Sequence, residues 1–180
     1  MTDNLPMFQD LKRFVGFTDA DAAALRALGP IFAVHGAAIT DGFYDRILDQ
    51  PETAALVAGR LDHLKRTHMQ WMGELFAGEY GAEYLHDRWR IGLAHVRVGV
   101  PPMWVEAVVS FLRTASLELI AREVADGAQR VACSQALVRL LDLDLAIINL
   151  AYGEDRLDRL SEFTGMSRKL IERCVVQKKK

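Results

Sequence analysis

Apolar positions recur at helical spacing along nearly the whole chain, and no stretch alternates apolar with polar as a half-buried strand would. Stretches rich in Ala, Leu, Glu and Arg, all good helix formers, are broken only by brief Gly, Pro and Asp signals. Thr18-Asp19-Ala20-Asp21 is a helix start, and Gly29-Pro30 ends that helix. Pro30 suits the first turn of the next helix, which runs to about Asp49. Pro51-Glu52-Thr53 opens a short helix that Gly59 punctuates. The pattern then predicts helices from about Arg60 to Ala77, from about Ala82 to Val98, over 102–125, and from about 129 to 160. Gly78 and Gly81 mark one corner, Gly99-Val100-Pro101-Pro102 the next, and Asp126-Gly127 the last. Residues 1–160 read as one all-α domain of roughly six to eight helices, with no internal repeat. Residues 161–180 change character: they are charged, carry Gly165 and end in Gln-Lys-Lys-Lys, which reads as a mobile or helical tail.

The second long helix is unusual in its pattern. From Ala136 to Tyr152 it reads ALVRLLDLDLAIINLAY, apolar over more than one face. A helix packed only on its own core shows a single stripe. Either a second copy of the chain covers the surplus, or this is a central helix surrounded by its own chain. Its place near the end of the chain favours the second copy.

Composition narrows the class. Half of the 180 residues are apolar, enough for one sizeable core. The balance of 22 Lys+Arg against 24 Asp+Glu excludes a strongly basic nucleic-acid binder. The chain has no run of 18 consecutive apolar residues and no basic-then-apolar start, so neither a membrane span nor a signal peptide is expected. Cys133 and Cys174 form no CxxC pair, which suits a reducing cytoplasm. Zinc-protease, nucleotide-binding and serine-hydrolase motifs are absent.

Three helices place polar groups on apolar faces. Tyr84, Arg88, Ile91, His95 and Val98 recur at spacings of three and four. Gly92, one turn before His95, costs about 1 kcal/mol of helix propensity and leaves clearance that a flat ligand would need. His95 is thus either a ligand or a core histidine bonded to a carbonyl. Leu64, Thr67, His68 and Trp71 share a face of their helix, with Leu64 and Trp71 reading as core. Burying Thr67 and His68 unpaired would be costly, so they pair inside the protein or look into a cavity. Tyr44 and Leu48 lie one turn apart, with Phe43 and Ile47 on the adjoining stripe. Tyr44 brings a phenol into this apolar region, where a core tyrosine would reach a backbone carbonyl. Together the three faces suit a wide apolar cofactor held by one imidazole. Haem is the natural candidate, because its iron accepts a neutral histidine nitrogen. With no CxxCH, its attachment is non-covalent. His63 and His68 splay by about 140° around their helix, so they form no other metal site.

The run from Thr67 to Trp104 resembles the sensor globin of globin-coupled sensors, bacterial haem domains that sit ahead of signalling output modules. It is carried by Thr67, Trp71, Leu75-Phe76, Gly78, Tyr84, Arg88, Ile91-Gly92, His95, Gly99, Pro102 and Trp104, with IGLAHVRVGVPPMW the most specific stretch. The upstream Phe43-Tyr44 pair also matches, and the resemblance covers about residues 8–152. It implies a globin fold, haem b, His95 as proximal iron ligand, and Tyr44 bonding to bound O₂. Leu64 and Thr67 would line the distal pocket, with Thr67 as a second donor. Phe43, Ile47, Leu48, His68, Trp71, Tyr84, Arg88, Ile91, Gly92, Val98 and Trp104 would surround the cofactor. It also implies a homodimer in which the last two long helices of each subunit form a four-helix bundle.

His68 is a departure from the family's pattern. One turn after Leu64, it would reach the iron's sixth position if its helix slid inward; otherwise it points past the haem edge toward a propionate or solvent. The residues after Leu160 are too few for a cyclase, kinase or methyl-accepting module. A stand-alone sensor globin, or a sensor domain of a longer protein, is therefore expected, with the tail as the start of a signalling helix. The implied function is sensing of O₂, or of CO or NO, relayed through the dimer to an output module outside the chain. No catalysis, nucleic acid or membrane partner is expected. A gas carrier or nitric oxide dioxygenase is a second reading, although no flavin or nicotinamide motif is present to supply electrons. A cofactor-free helical dimerisation module is the third, with His95, Tyr44 and His68 all in the core.

Overall fold

A computed structural model describes residues 4–176. Among them the chain forms eight α-helices and no strand: α1 (Leu5–Phe14), α2 (Asp19–Asp49), α3 (Pro51–Val57), α4 (Leu61–Leu75), α5 (Ala82–Val98), α6 (Pro102–Glu123), α7 (Gly127–Thr164) and α8 (Arg168–Val176). The corners follow local chemistry. The Asp21 carboxylate accepts the Thr18 backbone N–H and hydroxyl, both at 2.8 Å, at the start of α2. The Asp126 side chain accepts the Gln129 N–H at 2.7 Å and caps α7. Gly99 and Gly165, at φ 74° and 69°, end α5 and α7 in the left-handed region that only glycine enters without strain.

The expected break at Gly29-Pro30 does not occur, because α2 runs unbroken through Pro30. Proline removes one amide donor and crowds the residue before it. Here that residue is Gly29, which has no Cβ to clash. Packing holds the turn from outside: the Phe32 and Phe76 rings stack at 4.2 Å, and Leu25 and Leu28 are buried. By length and composition α2 is also apolar enough to cross a membrane. Its buried residues Phe32, Gly36, Thr40 and Tyr44 instead form a stripe at every fourth position, on the side where α2 meets other helices of the chain. A Cβ at Gly36 would lie 2.8 Å from Met72 Sδ, so glycine lets α4 approach closely.

α7 is the centre of the molecule and packs on α2, α5, α6 and α8. Its run from Ala136 to Tyr152 buries Leu137, Leu140, Leu141, Leu143, Ile147, Ile148 and Ala151 against these neighbours. The apolar surplus is thus absorbed within one chain, and it carries no information about a second copy. The tail is helical as far as it is described: α8 folds back on α7, burying Ile171, while Arg168 pairs with Glu154, Asp158 and Glu172. Residues 177–180 lie outside the described residues.

Candidate functional site

α4 packs on α2 and α5 packs on α7, but α4 and α5 hardly touch each other among the described residues. A buried polar cluster ties them at the end nearest their connecting corner. Arg88 has no exposed surface; its Nη1 lies 2.6 Å from Glu74 Oε2 and its Nε 2.9 Å from Asp144 Oδ2. The Trp71 Nε1–H donates to Asp144 Oδ2 at 3.1 Å, and the Tyr84 hydroxyl donates to Asp144 Oδ1. The guanidinium carbon sits 4.2 Å from the centre of the Tyr84 ring. Burial alone would lower the pKa of Arg88, but Asp144, Tyr84 and Glu74 outweigh it and keep the group charged.

Three residues assigned to the cofactor by sequence belong to this structural tie instead. Arg88 lines no open space, and Tyr84 is buried with its hydroxyl committed to Asp144. At Gly92 an added Cβ would meet Ala151 Cβ at 2.7 Å and the Ile148 carbonyl at 3.1 Å. The clearance beside His95 is filled by α7, because the glycine brings the two backbones together.

Beyond the tie few contacts join α4 and α5, and the region between them is the candidate cleft. His95 stands seven residues past Arg88, and Leu64 seven residues before Trp71, each on the same face as its tie residue. At 1.5 Å rise per residue both lie about 10.5 Å from the tie. Measured along their own helices, the two residues are therefore equally far from the tie. His68 sits only about 4.5 Å from Trp71 along α4, one turn nearer the tie.

On the α5 arm, His95 Nδ1 lies 2.8 Å from the Ile91 carbonyl oxygen. A carbonyl only accepts, so Nδ1 carries the proton and Nε2 keeps a bare lone pair. Burial lowers the pKa of His95, with the Ile91 bond acting against it, so the ring is neutral at pH 7. The Ile91 side chain packs on Val105, Ile148 and Tyr152.

On the facing arm, aromatic rings from α2 and α4 converge. Phe43 lies 4.4 Å from Tyr44 and 5.0 Å from His68, Tyr44 meets His68 edge-on at 6.1 Å, and Trp71 lies 5.1 Å from His68. Burial pushes the Tyr44 phenol up to about 12, so it stays protonated, and it makes no hydrogen bond among the described residues. Burial holds His68 down at about 4, so it is neutral. Its Nδ1 lies 3.0 Å from Thr40 Oγ1, while its Nε2 is buried with no partner.

The remaining assigned residues divide. The Thr67 hydroxyl donates to the Leu64 carbonyl of its own helix at 2.9 Å. Leu64 and Ile47 are half-buried, and Leu48 and Val98 are exposed at 45% and 39% with nothing of the described chain over them. Trp104 Nε1 is buried and unpartnered. Sequence reasoning missed Thr40, Glu74 and Asp144. Asp144 was visible as a charge inside ALVRLLDLDLAIINLAY, and Thr40 as a hydroxyl one turn before Tyr44. Their partners were not visible.

Known proteins resemble both the sequence and this arrangement. The family model named Protoglobin matches residues 6–158. The globin domain of a Geobacter sulfurreducens globin-coupled sensor is 36% identical, with a TM-score of 0.77 over 80% of this chain and 96% of that one. The globin domain of E. coli DosC, in its ferric form, shares the fold at a TM-score of 0.68 and 17% identity, over 80% of this chain and 98% of that one. The heme-based aerotactic transducer HemAT of Halobacterium salinarum is 29% identical over 161 residues, which is 83% of this chain and 33% of that protein. The chain thus spans about a third of the length of that relative.

Proposed function

This chain belongs to the protoglobin family, as a globin domain of the globin-coupled sensor kind, and from that premise we propose that it is a haem-based sensor of O₂. The observation that carries the reading is the bond from His95 Nδ1 to the Ile91 carbonyl, which leaves a neutral imidazole whose Nε2 lone pair is free to ligate. The residues present fit a non-covalent haem b. One imidazole is ready to ligate, Leu64, Phe43 and Ile47 supply apolar surface, the Tyr44 hydroxyl makes no hydrogen bond among the described residues, and His68 Nε2 is buried without a partner. Leu48, Val98 and Trp104 would contribute at the rim. Held by His95, a haem would supply a ferrous iron able to bind a diatomic gas.

The chain's own groups do the discriminating. Tyr44 would donate a hydrogen bond to the gas, which favours polar O₂ over CO, with NO a further candidate. His68 would contest the same position through its bare Nε2. Relay through a homodimer of α6 and α7 is supported by how firmly α5 is joined to α7. Asp144 holds Arg88 and Tyr84, Gly92 rests on Ala151, and the Tyr152 hydroxyl donates to the Val100 carbonyl at 2.7 Å. A shift of His95 that moves α5 would carry α7 with it, and ligation would bias two states of the pair. Exposed Leu160 and Phe163 on α7 are available to a second copy. Any catalysis would belong to an output module outside this chain, and the free thiols of Cys133 and Cys174 accord with a cytoplasmic setting.

The test is His95→Ala. The variant is expected to fold yet fail to retain haem, losing the Soret band after haem addition. Retained haem with an unchanged spectrum would sink the assignment.

A further inference from the structure

The two histidines of the cleft differ in what holds their Nδ1. For His95 the partner is the Ile91 carbonyl, which only accepts, so its tautomer is fixed. For His68 the partner is the Thr40 hydroxyl, at 3.0 Å, which either accepts or donates. Thr40 is 2% exposed, and its Oγ1 also lies 3.1 Å from Met69 Sδ. Its single proton therefore has two possible destinations. If it points to Met69, the oxygen accepts from His68 Nδ1–H and Nε2 is a bare lone pair. If it points to His68, Nδ1 accepts, and the ring proton sits on Nε2, which becomes a donor. One proton changes nitrogen between the two states, by loss to and gain from water, and the total is unchanged.

The first state makes two bonds within the protein and the second makes one. It also leaves the unpartnered Nε2 able to ligate a metal. In the second state the same atom would donate to a gas carrying partial negative charge.

We propose that Thr40 is a positioning residue that sets which nitrogen of His68 carries the proton, and so how strongly His68 competes with a gas for the cleft. The inference rests on the haem-sensor reading. Outer partners of metal-bound histidines typically change affinity by about 10–100-fold. Thr40→Val keeps the shape and removes the hydroxyl, and Thr40→Ser restores it.

Two readouts separate the possible failures. In haem-loaded protein under carbon monoxide, which is diamagnetic and leaves His68 free, ring ¹⁵N shifts report the tautomer. Wild type and Thr40→Ser are expected to be protonated at Nδ1, and Thr40→Val to move toward Nε2. An unchanged tautomer in Thr40→Val overturns the role of Thr40. In ferrous protein without gas, absorption reports the six-coordinate, His68-bound fraction, which should fall in Thr40→Val and return in Thr40→Ser. Gas association should quicken by about tenfold in Thr40→Val. A wild type with no six-coordinate fraction overturns the axial role of His68 on which the proposal rests.

Discussion

Two polar clusters meet at Trp71. On one side Arg88, Asp144, Tyr84, Glu74 and the Trp71 indole pair with one another; Arg88 Nη1 bonds to Glu74, Nε makes an ion pair with Asp144 without hydrogen-bond geometry, and Nη2 has no partner. On the other side His68, Tyr44 and His95 each keep an atom without a partner. Both clusters are largely buried, and both cost desolvation. The first recovers that cost from its own chain, so it is structure. The second leaves His68 Nε2 buried without a partner, so that atom gains when something enters beside it.

The largest test of this contrast is Asp144→Ala. It strands a fully buried guanidinium and is expected to destabilise the chain by about 3–5 kcal/mol in denaturant unfolding. Tyr44→Phe should leave folding nearly unchanged, because the hydroxyl it removes makes no hydrogen bond among the described residues. Its effect should appear in ligand release. A hydrogen bond to a charged acceptor contributes about 1.5–3 kcal/mol, so O₂ should leave about tenfold faster or more by flash photolysis or stopped flow. If Tyr44→Phe proved as destabilising as Asp144→Ala, with an unchanged off-rate, the contrast would collapse.

Gly92→Ala sharpens the boundary between the clusters. Its Cβ would overlap Ala151 Cβ, so overpacking should cost about 1–3 kcal/mol despite better helix propensity. A cofactor-contact role for Gly92 would instead show as altered haem affinity at unchanged stability. The smallest effect is expected at the start of α2. Burial raises the pKa of Asp21, but bonds from Thr18 and Arg139 outweigh it and leave the carboxyl below its model-peptide value of 3.8. A lowered folded pKa means the unfolded chain binds more protons, so this stabilisation is present above about pH 4 and lost as pH falls through the folded value. Asp21→Asn should flatten that acid limb in thermal melts. Thr18→Ala should cost about 1 kcal/mol at pH 7.

The helical architecture was largely legible in sequence. α5 runs from Ala82 to Val98 as its pattern predicts, and Gly99 and Pro102 mark real helix boundaries, whereas α7 runs past the expected end near 160 to Thr164, where Gly165 stops it. These signals act within a turn or two, where backbone sterics decide. At the site, Tyr44, Phe43, His68 and Trp71 do come together, because each was read from the face it occupies on its own helix. Thr67 bonds to a carbonyl of its own helix, a contact within one turn that the facing pattern does not reveal.

The sequence by itself determined where helices begin and end and which faces are apolar, since those depend on residues three or four apart. It also supplied every polar group of both clusters. Only the tertiary structure decided which of them would be satisfied. Asp144 meets Trp71 and Tyr84 across 73 and 60 residues of chain, and Pro30 survives inside α2 because Phe76 packs behind it. α7 spends its apolar surplus on its own chain for the same reason. Whether a group finds its partner depends on chain segments far from it in sequence, and local pattern carries no record of them.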